Sequence, residues 1–397
     1  MKKIMIIGAG WEQIPLIDNA KKMGYYVIAT TQWSVNQLNA DVVYKVDSRN
    51  IEELEKIYNC ELPDAITSDE CDYSMYAVAY LTTKHNLPGP QLETLTITNN
   101  KYLQRKILVD KGLTSIKQPE FSLCWNYEQA VSEAEKIGYP VIIKPLDNRG
   151  SIGVIKVSNK ESIKNAWLTA VVNSHSRMCI IEKYIEGDTI TVEGFFDSKQ
   201  FNFITVSSKD TYKDNKNVAK ILYYPGKLSQ SQIGLVKNYS ENIVKAYGIN
   251  FGFTHFEFLI EENTDNIYFV EAANRGGGVF ISNVILKSIT GYNFTESLIR
   301  MSLGEKVLIK SLELKKKAIM YFFSPLGKEL PEQISNSNIL AMHINATKNK
   351  EMGSTDDARS REGVVILEGD KFEKLLVDAA DIEHRIKALD TEYVHVF

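Results

Sequence analysis

At 397 residues, with 44% hydrophobic and 24% charged residues and a formal net charge of -4, the chain has the make-up of an ordinary soluble protein of two or three domains. That balance speaks against a disordered chain and against wholesale binding to nucleic acid or to a membrane surface. No apolar stretch nears the length of a membrane span, and the run Ile4 to Ala9 is too short for a signal-peptide core, so a cytoplasmic location is expected. Cys60, Cys71, Cys124 and Cys179 stand singly without CxxC spacing, and six dispersed histidines form no HExxH pattern, which suits reduced thiols better than disulfides or zinc.

Residues 1 to about 115 alternate short apolar runs with helical patterns. Lys3 to Gly8 reads as a buried strand, Gln13 to Lys22 as a helix, Tyr26 to Thr30 as a strand, Ile51 to Tyr58 as a helix and Ala65 to Thr67 as a third strand. Strands separated by helices predict a parallel, doubly wound sheet. Gly8-Ala9-Gly10 invites a dinucleotide reading, but Gln13 stands where the third glycine belongs and no acidic residue ends the second strand. Ligands of such sheets bind beyond the carboxyl ends of strands, which makes Glu70 either a substrate contact or a solvated loop carboxylate.

Thr98 to Leu108 carries an N-cap signal, an apolar stripe at Leu103, Ile107 and Leu108, and a stop at Gly112. Lys101 falls in its first turn, where the helix dipole disfavours a cation. An anion shared by the helix start and the lysine would remove that conflict, although a solvated lysine fits equally. After a helix at Tyr127 to Ile137, the β-branched run Val141-Ile142-Ile143 delivers Lys144 at a strand end, and Pro145 stops the ladder. In the loop that follows, Gly150 and Gly153 flank Ser151, so its backbone N–H groups can curl around a phosphate. It is no Walker A loop, since GKS or GKT is missing, and a plain glycine hairpin remains the alternative. Met178 to Gly187 is a further strand with Glu182 at its end and a turn at Gly187. Such a segment can act as a hinge and offer backbone groups to an adenine edge.

In Phe251 to Gly278, Phe256, Phe258 and Ile260 alternate with His255, Glu257 and Leu259, and a second run from Ile267 to Val270 follows a turn-rich segment. An antiparallel hairpin centred on Thr264 sets Glu257 opposite Glu271, with Cβ atoms roughly 5 Å apart. Facing like charges are destabilising unless something positive lies between them, and a hard divalent cation that also takes phosphate oxygens answers that need, the alternative being a solvated hairpin end with two incidental acids.

The segments TNNKYLQRKILVDKGL, YPVIIKPLDNRGSIGV, MCIIEKYIEGDTITVEGF and GFTHFEFL followed by IYFVEAANRGGG, in this order and up to about residue 305, resemble the ATP-grasp superfamily. Thr254-His255-Phe256-Glu257-Phe258 and Glu271 with Arg275-Gly276-Gly277-Gly278 resemble the biotin-carboxylase-like branch, in particular carboxylate–amine ligases of the amino-acid type. The resemblance implies a mixed α/β and α+β protein of the ATP-grasp fold. Its parts are a doubly wound pre-ATP-grasp domain (1–115), a small lid subdomain (116–190), a central subdomain with the metal site (191–305) and a β-rich C-terminal portion (306–397).

The same resemblance implies ATP and Mg²⁺ (or Mn²⁺) as cofactors. Lys101, Lys144, Gly150, Ser151 and Gly153 would take the phosphates, and Glu182, Lys183, Tyr184 and Ile185 the adenine. Glu257 and Glu271 would hold the metal, and Arg275 the transferring phosphate and the intermediate. Ala273 stands where relatives often have an asparagine, so Asn274 is the substitute metal ligand. Thr189 stands in place of a ribose-binding Glu, leaving Asp188 or Glu193 for that contact. Glu70, His255, Gly276 and Gly277 are candidate substrate contacts, Ser207 to Pro225 is either a substrate-facing loop or a solvated turn, and His343 with Arg359 or Arg361 are loop candidates.

The expected reaction joins a small-molecule carboxylate to an amine through an acyl phosphate, releasing ADP and phosphate. A carboxylase-type relative that activates bicarbonate for biotin or a purine-pathway amine is the alternative, and a non-catalytic ATP-binding protein a third reading. Neither nucleic acid nor membrane is an expected partner, and a homodimer is what the family suggests.

Overall fold

The computed structural model describes residues 1–33, 38–212, 218–323, 338–344, 363–385 and 394–396. The N-terminal part is a parallel sheet in the order β3-β2-β1-β4, built from β1 (Lys3–Ile7), β2 (Tyr26–Thr31), β3 (Val42–Lys45) and β4 (Ala65–Thr67). Helices α1 (Ile14–Lys22), α2 (Ile51–Glu61) and α3 (Asp72–Lys84) connect or follow these strands. Ile4 and Ile6 pack with Leu16 and Ile17, while Met5 and Ile7 pack with Leu54 and Val78, so both faces of β1 are buried, as parallel strands require. The short, half-exposed edge strand β3 carries too little apolar pattern to be read from sequence. Two further helices, α4 (Leu92–Thr98) and α5 (Lys101–Asp110), are separated by Asn99 and Asn100, and the Asn100 side chain caps α5 by accepting from the Leu103 N–H.

A small antiparallel sheet follows in the order β5-β8-β6-β7, from β5 (Phe121–Cys124), β6 (Val141–Pro145), β7 (Ile155–Val157) and β8 (Cys179–Lys183). It is backed by α6 (Tyr127–Ile137) and α7 (Ile163–Val172), whose alanines at 130, 134, 166 and 170 let the helices lie close on Val141, Ile143 and Ile181.

The third sheet has nine strands in the order β13-β12-β9-β10-β11-β14-β16-β15-β17. These are β9 (Gly187–Phe196), β10 (Phe201–Thr211), β11 (Ala219–Tyr224), β12 (Gly252–Glu261), β13 (Ile267–Ala273), β14 (Lys317–Phe323), β15 (Ile339–Ile344), β16 (Gly363–Gly369) and β17 (Val394–Val396). The C-terminal strands thus extend the sheet that carries the carboxylate hairpin. Gly187 opens β9 instead of making a turn: a Cβ there would lie 2.0 Å from the Ile260 carbonyl oxygen, so only glycine permits this pairing. Helix α8 (Gln230–Tyr247) covers one face, packing Val236, Ile243 and Tyr247 against Phe256, Phe258 and Phe269. Burying each such phenylalanine stabilises the fold by about 1.5–3 kcal/mol. A turn of π-helix at Ile281–Ile285 leads into α9 (Leu286–Thr290) and α10 (Phe294–Ser302), and α11 (Phe372–Arg385) packs on β14 and β16. Apolar positions at Leu375, Leu376, Ala379 and Ile382 start this last helix six residues before the expected Asp378. Among the described residues no helix is long and apolar enough to cross a membrane.

Candidate active site

Glu257 and Glu271 are direct partners across the β12–β13 hairpin, and they reach that register through a bulge. Near the turn Ile260 pairs with Ile267 and Phe258 with Phe269, one residue out of step with a hairpin centred on Thr264. Continued unchanged, that register would set Val270 opposite Glu257 and turn Glu271 toward the buried face with Phe256. Val270 is instead the extra residue, and the register shift between Glu257 and Phe258 brings Glu271 onto the same face as Glu257 and His255. Both glutamate side chains keep partial exposure, 39% and 29%.

Lys101 answers the conflict at the start of α5. Its Nζ donates to Glu271 Oε1 (3.0 Å) and to the Asn148 carbonyl (2.6 Å), so a carboxylate is the anion that offsets the helix dipole. One turn on, Arg105 is fully buried; its guanidinium pairs with Glu182 Oε1 and donates to the Val270 carbonyl (2.8 Å) and the Lys101 carbonyl (3.3 Å). The other Glu182 oxygen accepts from Lys144 Nζ (2.7 Å). Burial pushes the Lys144 ammonium down to about 8 against the pull of Glu182, with Arg105 and Lys101 adding to the depression. Burial opposes the Glu182 charge, but Arg105 and Lys144 outweigh it and hold that carboxyl below its usual range. Lys101, Arg105 and Lys144 thus share two carboxylates, Glu182 and Glu271. Lys101, Asn148, Arg149, Glu271, Asp72 and Tyr73 line a cleft between these elements.

The loop after β6 closes over that cleft. Gly150, Ser151 and Gly153 all have positive φ (65°, 58° and 76°), and a Cβ on Gly153 would come within 2.9 Å of the Pro145 ring. Arg149 lies over the Tyr73 ring, and Tyr73 Oη is 2.8 Å from His175 Nε2, so the lid touches α3. In the hinge, the Lys183 and Tyr184 N–H groups already donate to the Glu120 and Pro140 carbonyls, and Tyr184 Oη donates to Glu186 (2.6 Å). Their backbone donors are therefore not open to an adenine edge as the sequence suggested.

Arg275 Nε donates to Asp72 Oδ1 (2.9 Å) in the first turn of α3, and its Nη1 donates to the Gly276 carbonyl (2.8 Å). Burial works against its charge, but Asp72 and Glu271 raise the guanidinium above its usual range. His255 joins the carboxylate face: Nδ1 is 2.8 Å from Glu193 Oε1 and Nε2 is 3.8 Å from Glu257 Oε1. Burial opposes the imidazolium, yet Glu193 and Glu257 outweigh it and raise it to about 9. Burial likewise opposes the Glu257 charge, but His255, Lys209 and Arg275 hold that carboxyl down at about 2.

Several expected contacts lie elsewhere. Asn274 does not join Glu257 and Glu271; its amide donates to the Phe251 and Phe253 carbonyls (2.9 Å each) and it is 1% exposed. Glu193 is sealed beneath His255, out of reach of a ribose, whereas Asp188 is exposed at the start of β9. His343 sits inside β15, buried and stacked on Trp11, not on a loop. Arg359, Arg361 and the middle of the Ser207 to Pro225 segment fall outside the described residues. Among the described residues no three His, Cys, Asp or Glu side chains gather into a metal cage.

Glu70, Gly276 and Gly277 form a buried joint instead of an open substrate surface. The Gly276 N–H donates to Asp69 Oδ1 (2.7 Å), the Phe280 N–H to Glu70 Oε2 (3.1 Å) and the Val279 N–H to Glu12 Oε1 (2.7 Å). A Cβ on Gly276 would lie 2.2 Å from the Ser282 side chain, and one on Gly277 within 3.0 Å of His255. Val279 and Phe280 are both left-handed (φ 61° and 66°), a strain that three carboxylates of the N-terminal sheet hold in place beside Arg275.

Ser282 Oγ lies 2.5 Å from Asp69 Oδ2 and 2.8 Å from Glu70 Oε1. One hydroxyl carries one hydrogen, so the second contact needs a proton on a carboxyl. Burial, then the neighbouring Glu12 and Asp69 charges, push the Glu70 carboxyl well above its usual range, and burial raises Asp69 to about 6. An acid whose folded pKa is raised binds a proton that the unfolded chain has released, so stability falls as pH rises from the unfolded value toward the folded one. As pH rises above 5 the wild type is expected to lose melting temperature relative to Glu70→Gln, whose amide reproduces the protonated acid, by up to roughly 2 °C per pH unit for as long as the folded protein keeps the proton. Parallel melting curves for the two proteins across that range would remove the shared proton.

Residues 137–283 match the model of the ATP-grasp domain. The chain is 30% identical over 192 residues to a formate-dependent phosphoribosylglycinamide formyltransferase of Prochlorococcus marinus subsp. pastoris, covering 47% of this chain and 48% of that protein. This match spans about half the length of that relative. A second protein of that name, from Prochlorococcus marinus strain NATL2A, is 25% identical over 372 residues, 89% of this chain and 92% of the relative. Among solved structures, an L-amino acid ligase from Bacillus licheniformis superposes with a TM-score of 0.81 at 16% identity, over 99% of each chain, a likeness of fold.

Proposed function

We propose, from the premise that this chain belongs to the ATP-grasp superfamily and works with ATP and Mg²⁺, that it is a carboxylate–amine ligase acting through an acyl phosphate. The observation that carries the reading is the placing of Arg275 beside the facing pair Glu257 and Glu271, with Lys101 bound to one of them. The four units 1–115, 116–190, 191–305 and 306–397 divide the work into an acceptor-side base, a lid, a catalytic sheet and its C-terminal extension, and the enzyme operates in the cytoplasm.

The hard carboxylate oxygens of Glu257 and Glu271 fit a Mg²⁺ ion and would hold it. When bound, it would supply charge neutralisation for phosphoryl transfer. Lys101 and Lys144 take phosphate oxygens, the first by exchanging its Glu271 and Asn148 contacts, the second by leaning away from Glu182. The backbone around Gly150, Ser151 and Gly153 closes over the phosphates and excludes water. With the Lys183 and Tyr184 amides already engaged, the hinge reads the adenine through Ile185, and Asp188 takes the ribose.

Arg275 presents a planar fork to the substrate carboxylate, one oxygen of which attacks the γ-phosphorus as the bond to ADP breaks. The amine nitrogen then attacks the acyl carbon, loses a proton, and the carbon–oxygen bond to phosphate breaks. The polar, doubly charged environment around Arg275, Asp72 and His255 favours a carboxylate that also carries a positive or hydrogen-bonding group, as amino acids do. The names of the Prochlorococcus relatives, with formate and phosphoribosylglycinamide, support the same pairing of a carboxylate with an amine.

The test is phosphate release from ATP with the common amino acids, formate and bicarbonate, each alone and combined with amino-acid or purine-pathway amines. Release that requires one carboxylate and one amine together supports the ligase. Release with bicarbonate, together with either biotin or a purine-pathway amine, would instead make it a carboxylase-type enzyme.

A further inference from the structure

β13, an edge strand of the nine-stranded sheet, pairs with β12 on one side, and on the other its Phe269 N–H donates to the Lys117 carbonyl (2.8 Å) in an isolated parallel bridge between Lys117 and Tyr268, which leaves the residues after Phe269 to be held from elsewhere. Edge strands present backbone N–H and C=O groups that need partners elsewhere. Helix α5 supplies them with side chains. Gln104 Nε2 donates to the Ala272 carbonyl (3.0 Å) while Gln104 Oε1 accepts from the Ala272 N–H (2.9 Å), so one amide stands in for a neighbouring strand. Arg105 Nη2 donates to the carbonyl of Val270, the bulged residue. Both side chains are fully buried, and the Gln104 amide is also tied to the Thr98 carbonyl (2.7 Å). Their two backbone targets, Val270 and Ala272, bracket Glu271.

This bracket has a consequence for direction. Without the bulge the strand would keep the register it has at Ile267 to Phe269, and Glu271 would point into the core behind Phe256. Burying a carboxylate there would be costly, which by itself favours the bulge, but the bulged segment still leaves the Val270 and Ala272 backbone groups on the open edge, and these need partners from outside the sheet. We propose that Gln104 and Arg105 are positioning residues for Glu271, locking the Val270 bulge so that this carboxylate faces Glu257 across the hairpin. The proposal rests on the reading of Glu271 as a metal ligand. It is a role in orienting a ligand through backbone, of the kind whose loss typically weakens metal affinity about 10–100-fold.

The test uses Mn²⁺ with ADP as the probe on the full chain, with free Mn²⁺ followed by paramagnetic resonance and the Mn²⁺ taken up by ADP without protein subtracted. Gln104→Leu keeps the volume and removes both amide bonds; Arg105→Lys keeps the charge near Glu182 and shortens the reach to Val270. Each is expected to weaken Mn²⁺ affinity about 10-fold or more. For Gln104→Leu, metal-free ADP affinity should stay within about twofold of the wild type, since Gln104 touches no residue assigned to the nucleotide except through β13. Unchanged Mn²⁺ affinity in both variants would overturn the proposal, and so would an equal loss of metal-free ADP binding in Gln104→Leu, which marks general damage. Glu271→Gln separates the two levels. If it weakens Mn²⁺ binding while the positioning variants do not, only the positioning role fails; if it binds Mn²⁺ as the wild type does, the metal reading fails first.

Discussion

Glu271→Gln is expected to lower turnover by at least about 10²-fold while leaving the fold intact. The substitution keeps the size of the side chain and one acceptor for Lys101, which lies 3.0 Å from the native carboxylate. What it removes is a negative charge that the site holds opposite Glu257 at the cost of like-charge repulsion. In the apo protein that removal is close to neutral for stability, since the repulsion and the Lys101 pair are lost together. During phosphoryl transfer it is not neutral, because catalysis there consists mostly of positioning and charge stabilisation. Steady-state ADP formation and a melting curve on the same preparation check both halves. Near-wild-type turnover would show that the facing carboxylates are a structural pair and not part of a nucleotide site.

Arg275→Ala is expected to cost both activity and stability, for two separable reasons. The guanidinium is bound to Asp72, whose side chain is only 15% exposed, and removing it strands a carboxylate in a nearly closed environment. Breaking fully buried pairs costs about 3–5 kcal/mol, and the residual exposure of Asp72 places this case near the lower end. Turnover should fall by about 10²–10³-fold, the cost of losing one preorganised partner for developing charge. The double variant Arg275→Ala/Asp72→Asn should regain most of the lost stability and none of the lost turnover. Recovery of turnover in the double variant would mean that Arg275 serves the α3 contact alone.

The chemistry of the site was legible in the sequence wherever a residue type is unusual for its place. Two glutamates alternating with phenylalanines on a hairpin, a lysine at a helix start, and a lysine at the end of a β-branched strand each announce an electrostatic conflict, and the protein pairs Lys101 with Glu271 and Lys144 with Glu182. The opposition of Glu257 and Glu271 followed from centring the hairpin on Thr264, but the chain reaches it by a different route, through the Val270 bulge. No pattern of apolar residues encodes a bulge, because Val270 satisfies both registers.

The buried polar links were the hardest to read. In α5 the stripe Lys101, Gln104, Arg105 and Leu108 faces inward, and three of those four side chains are polar, so apolar periodicity pointed to Leu103, Ile107 and Leu108 instead. Only the i, i+4 spacing of Lys101 and Arg105 hinted at a shared face. Asp69, Glu70 and Ser282 meet across more than 200 residues of sequence, a proximity that only the packing of the N-terminal sheet on the Arg275 loop creates. Glu70 read as either a substrate contact or a solvated loop acid and is instead a buried clasp, because the loop from Gly276 to Phe280 folds over it with its N–H groups turned inward. Asn274 looked like a substitute metal ligand, but it is buried, with its amide N–H groups donating to the carbonyls of Phe251, just before β12, and Phe253.

The central claim is that a substrate carboxylate is activated as an acyl phosphate at Arg275. Once a carboxylate and amine pair supports ADP release, the carboxylate labelled with ¹⁸O in both oxygens should hand one labelled oxygen to inorganic phosphate per turnover, read by mass spectrometry of the phosphate. Phosphate that carries no label above the natural level, while the amide product forms, would contradict the account.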